Sequence, residues 1–231
     1  MISDAWVSSV PDATPPPPPP PTDPTSPAYK AHWTFDEIGS STAHDVTGNG
    51  NDGTNYDVVG NGTGYTFNGI DSRVIVPDSA SLNPGSADFF YGITLTMTQP
   101  PATGETYDVL RKGLVTNKAG DYKIEIVNSS GKAEARCVFN SFRSNGTKVL
   151  AAVMKSVQLA DGVPHTVTCS KTSTSITIQV DSLPVHTKAI AGGLGSISNT
   201  SNLGLGAKSE DDPKSGYDWF NGVLSDAWVA W

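Results

Sequence analysis

Short runs in which apolar and polar side chains alternate recur along most of the chain. Each run has a period of two residues and is bounded by glycine, asparagine, aspartate, proline or serine, the residues that favour turns between strands. The clearest runs are Ala31–Phe35, Arg73–Pro77, Gly92–Met97, Tyr122–Val127, Ala135–Phe139, His165–Cys169, Ser175–Val180 and Leu224–Val229. The pattern therefore predicts a protein built of short β-strands.

Turn signals and the lack of helical periodicity extend this prediction. The stretch Asn128-Ser129-Ser130-Gly131 separates two alternating runs and predicts a β-hairpin. No stretch shows a sustained apolar stripe with a period of 3.6 residues, and charged residues make up only 16% of the chain. Because the sheets must then bury their apolar faces against each other, we predict an all-β fold, a two-sheet antiparallel β-sandwich.

The first 28 residues differ from the rest of the chain. Pro15 to Pro21 form an unbroken run of proline, which favours a polyproline II helix and predicts a stiff spacer of about 20 Å. We divide the chain into a strand-like segment at 1–10, a proline-rich linker or arm at 11–28 and a sandwich at 29–231. The proline-rich part has two interpretations: a linker between domains, or an ordered arm that lies on a partner subunit.

An internal repeat relates the N-terminal segment to the end of the chain. The sequence Ser3-Asp4-Ala5-Trp6-Val7 recurs letter for letter as Ser225-Asp226-Ala227-Trp228-Val229. The first copy, with Trp6 and Val7, is therefore either the last strand of a preceding similar domain or a strand that can take the place of the last strand in a neighbouring subunit. We expect residues 1–28 to contact other subunits and the protein to be a homo-oligomer.

Charge and hydropathy argue against two classes of partner. The formal net charge is -8, and no basic cluster is longer than Arg111-Lys112, so the surface that nucleic acid requires is missing. No apolar run approaches the roughly 20 residues that cross a bilayer. No secretory signal is evident at the N-terminus. Either Met1 is the native start of a protein kept inside a cell until lysis, or it is a cloning start within a longer secreted chain.

The two cysteines, Cys137 and Cys169, lie in segments that are predicted to be strands. They would form a disulfide if those strands are adjacent or face each other and if the compartment is oxidising. The pairing geometry is not encoded in the spacing. A disulfide and two buried thiols therefore remain equally open at this point.

Five stretches of the chain form an ordered set of motifs. They are His32-Trp33-Thr34-Phe35-Asp36-Glu37, the loop 45–53 with the sequence DVTGNGNDG, and the segments 65–77, 161–181 and 220–229. The set resembles LamG-like jelly-roll domains of the laminin G and concanavalin A-like superfamily, over residues 29–231. The resemblance implies a concanavalin A-like jelly roll whose first and last strands pair. Pro164 and Ser182 depart from the family's pattern, which weakens any transfer of site residues.

A calcium site is predicted in the loop 45–53. Asp45, Asn49 and Asn51 offer side-chain oxygens on a glycine-rich backbone, as Ca²⁺ requires. The resemblance implies a structural Ca²⁺ between the opening loop and the last strand, with Asp36, Asp45 and Asp226 as ligands. The alternative is that the glycine-containing pairs only make turns while Asp36 and Asp45 bond to loop backbone.

A second candidate site lies in the long loop before the last strand. Glu210, Asp211 and Asp212 are followed there by Tyr217 and Trp219. Aromatic faces beside carboxylates suit a sugar ring, and loops at one end of a sandwich commonly hold binding sites. We predict a site for a glycan or a cell-surface polysaccharide. The alternative is that Trp219 and Phe220 pack on the core while the acidic residues stay solvated.

Catalysis is not predicted. A retaining glycoside hydrolase needs two carboxylates about 5 to 5.5 Å apart, commonly in an E-x-D-x-E run, and the chain has no such run. Glu125 and Glu134 fall on opposite arms of the predicted hairpin, where neighbouring Lys and Arg residues predict an exposed polar face. His165 is predicted to be a satisfied core residue, and the histidines form no zinc-binding pattern.

Together these observations predict a non-catalytic sandwich that binds a glycan or a surface, or that serves as a structural module. Residues 1–28 suit a virion surface protein, such as a phage head-decoration or tail-fibre component that docks through its arm. The alternative is a LamG-like binding domain from a secreted multidomain bacterial protein. A glycoside hydrolase or polysaccharide lyase of the same fold is the less favoured alternative.

Overall fold

The secondary structure is almost entirely β-strand. The computed structural model describes residues 28–116, 119–209 and 216–231. Within these ranges there is one 3-10 helix, Ala80–Leu82, and no α-helix, so no helix in the described part of the chain could cross a membrane. The predicted all-β fold is confirmed.

The strands form two antiparallel sheets. In chain order they are β1 (Tyr29–Trp33), β2 (Thr42–Ala43), β3 (Gly53–Tyr56), β4 (Val59–Gly60), β5 (Tyr65–Asn68), β6 (Arg73–Val76), β7 (Phe89–Thr96), β8 (Thr106–Lys112), β9 (Asp121–Ser129), β10 (Lys132–Phe142), β11 (Lys148–Lys155), β12 (His165–Lys171), β13 (Ser175–Val180), β14 (His186–Ala189), β15 (Leu203–Leu205) and β16 (Asn221–Ala230). The first sheet has the order β14-β13-β12-β7-β16-β5-β4, with β1 also paired to β16. The second sheet has the order β11-β10-β9-β8-β15-β6-β3-β2.

The last strand holds the first sheet together. β16 pairs with β7 along one side, and on its other side with β5 and then with β1. In the β1–β16 pair, Ala31 lies opposite Val229 and Trp33 opposite Ala227. The pairing of the first and last strands, which the motif resemblance implied, is therefore present.

The core between the sheets contains a cluster of aromatic rings. The Tyr91 ring on β7 lies 4.9 Å from the Tyr122 ring on β9, and the Phe89 ring lies 5.1 Å from Tyr122 in an edge-on arrangement. Both tyrosine hydroxyls are buried and donate to backbone carbonyls, Tyr91 to Lys123 and Tyr122 to Leu82, each at 3.0 Å. Because the polar tips are satisfied, the rings fill the core without a desolvation penalty for an unpaired hydroxyl.

A disulfide joins the two sheets. Cys137 on β10 of the second sheet is bonded to Cys169 on β12 of the first, with 5.8 Å between the Cα atoms. Both residues are fully buried. Of the two alternatives that the sequence left open, the structure has the disulfide.

The outward face of the first sheet contains the tryptophan of the repeated sequence. Trp228 on β16 lies opposite Gly92 on β7, and a Cβ atom at Gly92 would come within 2.2 Å of the Trp228 ring. Only a residue without a side chain fits beneath the indole. The C-terminal copy of the repeat is therefore packed specifically into this sheet.

Candidate functional site

A cleft of about 580 Å³ lies beside the segment that leads into β16. Glu105 and Tyr107, at the start of β8, line one part of it, and Tyr217, Trp219 and Asn221 line another. We call this the aromatic cleft. It contains both aromatic residues that the sequence singled out, whereas Tyr107 and Glu105 were not predicted because neither belongs to the aromatic-acidic run.

The aromatic rings of this cleft are held in a continuous stack. The Tyr217 and Trp219 rings are 4.5 Å apart at an interplanar angle of 26°. The Arg73 guanidinium lies 5.6 Å from the Trp219 ring and 4.4 Å from the Tyr56 ring. Stacking and cation–π contacts thus fix the orientation of Trp219, and the Tyr217 ring forms the end of the stack.

Backbone hydrogen bonds hold the segment that bears these rings. The Asp218 carbonyl accepts from the Asp108 N–H at 2.9 Å, and the Tyr217 carbonyl accepts from the Lys208 N–H at 2.9 Å. Phe220, fully buried, donates its N–H to Gly206 and packs its ring against Phe67. The predicted alternative is thus partly realised: Phe220 belongs to the core, while half-buried Tyr217 and Trp219 line the cleft.

Tyr107 contributes a second aromatic surface to the aromatic cleft. Its ring meets the buried Phe220 ring edge-on at 5.9 Å, which leaves the half-buried Tyr107 side chain at the cleft wall. Burial, and next the neighbouring Glu105 carboxylate, raise the pKa of the Tyr107 hydroxyl. The hydroxyl therefore keeps its proton and remains a hydrogen-bond donor at neutral pH.

A second cleft, of about 430 Å³, lies on the outward face of the second sheet. Along β9, Tyr122, Ile124 and Ile126 point into the core, so Asp121, Lys123 and Glu125 point outward. These three residues line the cleft together with Arg111, Val115, Arg136, Val138, Leu150, Ala152, Lys208 and Asp218. We call it the charged cleft.

Ion pairs connect the charged residues on this face. Asp108, fully buried behind the cleft, accepts from Arg111 Nη1 at 2.7 Å and from Lys123 Nζ at 3.1 Å. Glu125 accepts from Lys123 through one oxygen and from Arg136 through the other. Buried charges require such partners, since an uncompensated one would be costly.

Two carboxyl groups near the cleft are less easily ionised than usual. Burial raises the pKa of Asp121, although a hydrogen bond from Asn140 and the charge of Arg111 oppose the shift. Burial also raises the pKa of Asp218, opposed first by its hydrogen bond with Lys208. Perturbed carboxyl groups beside a cleft are a common property of binding and catalytic sites.

The two clefts meet at one residue. Asp218 lines both the aromatic cleft and the charged cleft, and its Oδ2 lies 2.9 Å from Lys208 Nζ. Its backbone has a φ of 50°, a left-handed conformation that aspartate tolerates better than most residues. This bend presents the side chain of Asp218 toward Lys208 while Tyr217 and Trp219 stay on the aromatic side.

The hairpin carboxylates differ from the sequence prediction. Glu125 and Glu134 are only 2% and 3% exposed, so the expected exposed polar face is wrong. Glu125 lies opposite Arg136 in the β9–β10 pair, while Glu134 accepts from Ser156 Oγ at 2.6 Å. The lysine and arginine neighbours indicated solvent, but they serve as partners for a buried network. His165, in contrast, is satisfied as predicted, bonded to Asp181 at 2.8 Å.

In the predicted calcium loop, protein groups occupy both oxygens of Asp45. Asp45 Oδ1 accepts from the His32 N–H at 3.1 Å and from Thr47, and Oδ2 accepts from the backbone and side-chain amides of Asn51, each at 3.0 Å. The indole of buried Trp33 donates to the Asn51 carbonyl at 2.8 Å. The loop is thus closed by its own hydrogen bonds, which lower the pKa of Asp45 against the opposing effect of burial.

The other predicted calcium ligands are dispersed. Asp226 bonds to His32 Nε2 at 2.7 Å, Asn49 donates to the Lys30 carbonyl at 3.1 Å, and Asp36 is exposed. Within the described ranges, no group of three or more His, Cys, Asp or Glu side chains is arranged to hold a metal ion. Calcium binding stays a prediction, for which a melting scan with and without a chelator is the direct test.

Several predicted residues lie outside the described ranges. They are Glu210, Asp211 and Asp212 of the acidic run, and Trp6, Val7, Pro15 and Pro21 of the assembly segment. Their assignments stay predictions. The charged cleft, by contrast, was not predicted at all. The available signal was the alternation of charged residues with core residues along β9, which we interpreted as a solvated face.

Comparison with known proteins identifies the fold. No family model matches the sequence, and no curated protein matches it. Among solved structures, the chain is similar to the binding domain of Paraclostridial Mosquitocidal Protein 1, with 14% identity, 87% of this chain and 48% of that chain covered, and a TM-score of 0.60. The botulinum neurotoxin serotype G binding domain matches at 12% identity, with 87% and 47% covered and a TM-score of 0.57.

A third solved structure, Trypanosoma rangeli sialidase in complex with sialic acid, matches at 15% identity, with 87% of this chain and 30% of that chain covered and a TM-score of 0.56. The chain thus spans about half or less of the length of the structures that it matches. At these identities the likeness concerns the fold. The protein is a jelly-roll sandwich of the concanavalin-like kind, as the motif resemblance implied.

Proposed function

We propose that this protein is a non-catalytic, glycan-binding sandwich whose primary binding site is the aromatic cleft. The observation that carries the proposal is the combination of the Tyr217–Trp219 stack and Tyr107 with the polar side chains of Glu105 and Asn221 around one cleft. An aromatic face packs against the C–H groups of a sugar ring, while polar groups bond to its hydroxyls.

The rigidity of the site supports binding. The stack with Arg73 and the backbone bonds of Tyr217 and Asp218 hold the aromatic wall in place before a ligand arrives. Less side-chain entropy is then lost on binding, which improves affinity. The similar structures are consistent with the proposal: two are binding domains, and one is a sialidase in complex with sialic acid. They share the fold with this chain.

The absence of catalysis is part of the proposal. Asp108 and Glu125 both bind the Lys123 ammonium, which lies between their carboxyl groups. A hydrolase would need that space for the scissile bond and a carboxylate free to attack or to donate a proton. These carboxylates are therefore better suited to holding a binding surface than to acting on a ligand.

We extend the proposal to attachment through residues 1–28, on a virion surface such as a phage head or tail fibre. The supporting observation is that Ser225–Val229, the copy of Ser3–Val7, lies in the central strand β16 and packs Trp228 over Gly92. A segment with the same side chains has what it needs to occupy that position in another copy. A LamG-like module of a secreted multidomain protein remains the alternative.

Removal of residues 1–28 separates binding from attachment. We expect the shortened chain to keep its glycan affinity, while its oligomeric mass, measured by light scattering, falls to that of a monomer. An unchanged oligomer would contradict the role of the arm.

The glycan proposal is tested with Tyr217→Ala and Trp219→Ala on an array of oligosaccharides. Stacking of a nucleic-acid base on an aromatic ring is worth roughly 1–3 kcal/mol, and we expect a contribution of similar size for a sugar ring, so each variant should weaken binding about tenfold. Tyr29→Ala is a matched control, because Tyr29 is an exposed tyrosine stacked on His32 outside the cleft. Equal binding by all three variants would refute the site.

A further inference from the structure

The charged cleft extends the proposed glycan binding, and the inference drawn from it rests on that proposed function. We infer that this cleft binds an uncharged sugar unit, as a second subsite for the same glycan that the aromatic cleft holds. The two clefts share Asp218 as a wall, so a linear oligosaccharide can lie across both. The proposal therefore concerns a chain of several sugar units and not a single monosaccharide.

One wall of the cleft is polar and has unused hydrogen-bonding capacity. The Asp121 side chain, which is 1% exposed, makes one hydrogen bond to the described part of the chain, from Asn140 Nδ2 at 2.8 Å. A carboxylate has about four lone-pair sites for hydrogen bonds, so Asp121, which lines the cleft, keeps acceptor capacity that the hydroxyls of a sugar can use.

Arg136 adds donors to the same wall. Its guanidinium bonds to Glu125 through Nε, and its side chain remains 40% exposed. A guanidinium has five N–H donors in a plane, and those that Glu125 does not use can bond to ring or hydroxyl oxygens of a ligand. A sugar hydroxyl can accept from Arg136 while another donates to Asp121, which suits a polyol better than a ligand with only one type of group.

Part of the cleft lining is apolar. Val138 on β10 and Leu150 and Ala152 on β11 occupy outward positions next to the charged residues, and Leu150 is 60% exposed. An exposed leucine beside a network of buried charges gives the cleft one apolar and one polar side. The C–H face of a sugar ring and its hydroxyl edge match these two sides.

The charges of the cleft favour a neutral ligand over an anionic one. Each cation already has a carboxylate partner: Arg111 pairs with Asp108, Lys123 and Arg136 pair with Glu125, and Lys208 pairs with Asp218. A carboxylated or sulfated ligand would face the lining carboxylates of Asp121, Glu125 and Asp218 as like charges. An uncharged sugar leaves the ion pairs intact.

The test is calorimetric titration of the full chain with cello-, malto- and laminari-oligosaccharides, from disaccharide to octasaccharide. Oligogalacturonates of the same lengths serve as acidic counterparts. For a series that binds, affinity should rise in a step once the oligosaccharide is long enough to span both clefts. Binding that saturates at the disaccharide would overturn the second subsite, and tighter binding of the acidic series through this cleft would overturn the choice of a neutral sugar.

Two variants address the cleft directly. Leu150→Asp places a charge on the apolar part of the cleft, and Arg136→Gln replaces the five-donor guanidinium with a shorter, uncharged amide. Each should weaken binding of the long oligosaccharide about tenfold and leave that of the disaccharide unchanged. Both side chains are substantially exposed, so folding should persist, and near-unchanged melting temperatures will verify this. Val59→Asp is the matched control, because Val59 is 66% exposed on β4 and lines neither cleft.

The outcomes separate this inference from the proposed function. If Trp219→Ala abolishes binding while Leu150→Asp and Arg136→Gln have no effect at any length, the charged cleft is not a subsite and the aromatic cleft stands. If no uncharged oligosaccharide binds the full chain, both the inference and the glycan proposal for these probes fail. Loss of the length-dependent step in both variants, with the control unchanged, is the result that we expect.

Discussion

The outward faces of the two sheets are built differently. On the first sheet, core residues alternate with half-buried polar residues along β12 and β13, as in an ordinary sheet with one solvated face. On the second sheet, the outward charged residues of β8 and β9 are buried, among them Asp108, Arg111, Asp121 and Glu125. Burying charge costs free energy even when the charges are paired. The second sheet thus carries on its outward face the buried charges on which the proposed second subsite depends.

The largest expected loss of stability comes from a substitution that breaks the ion-pair network of the second sheet. Asp108→Ala would leave Arg111 and Lys123 buried without this partner, and we expect a loss of about 3–5 kcal/mol in the free energy of unfolding. Urea denaturation measures the change.

The matched substitution on the first sheet is Thr94→Ala. Its hydroxyl bonds to that of Thr166 at 2.9 Å across the outward face, and its loss should cost about 1 kcal/mol or less. Similar small losses for Asp108→Ala and Thr94→Ala would mean that the second face is as well solvated as the first.

An effect smaller than that of Asp108→Ala is expected at Gly92, where the Trp228 ring packs on the outward face of the first sheet. Gly92→Ala forces a Cβ atom against the Trp228 ring and should destabilise the protein by about 1–3 kcal/mol. The same substitution in a Trp228→Ala background should cost much less, since the steric conflict is then absent. A double-mutant cycle from thermal unfolding gives the coupling, and additive losses would argue against contact between the two residues.

The smallest expected effect is that of Asp121→Asn, which distinguishes a role of Asp121 in stability from a role in ligand binding. Because burial raises the pKa of Asp121, the ionised carboxylate disfavours the folded state, so this group's contribution to stability is present at low pH and is lost as pH rises through the folded pKa. Asp121→Asn should therefore raise the melting temperature at pH 7 modestly and remove this part of the pH dependence.

The same Asp121→Asn variant should bind the long oligosaccharide more weakly, since a carboxylate acceptor is lost. Melting scans between pH 4 and pH 8 and calorimetric titration check the two parts. A variant that is less stable than the parent at pH 7 would show that Asp121 serves the ion-pair network and not a ligand.

The alternation of apolar and polar residues predicted strands in both sheets, including β9 and β10 of the charged cleft, and missed strands in both, such as β5 and β14 of the first sheet. The run Ser175–Val180 matches β13 residue for residue, and His165 begins β12 as predicted. β8 and β11, in contrast, were missed. Both contribute to the charged cleft, where outward residues are buried charges on β8 and apolar residues on β11, so neither strand shows the simple alternation of a half-solvated sheet.

The residues of the aromatic cleft also divide into those that the sequence predicted and those that it did not. Tyr217 and Trp219 were predictable because aromatic residues beside a polar loop are conspicuous in a sequence. Tyr107 and Glu105 were not, since they lie more than 100 residues earlier in the chain. The hydrogen bond from the Asp108 N–H to the Asp218 carbonyl and the contact of the Tyr107 and Phe220 rings, which bring β8 to the segment before β16, depend on the tertiary fold.

The amino-acid sequence by itself determined the all-β character, the pairing of β1 with β16 through the motif resemblance, and one wall of the aromatic cleft. These follow from local alternation, turn residues and short ordered motifs. Only the tertiary structure decided that Cys137 and Cys169 pair between the sheets and that Asp108, Asp121 and Glu125 are buried on an outward face. The physical reason is that the environment of a charged side chain is set by neighbours far away in the chain, and the period of a strand says which face a residue points to but not what covers that face.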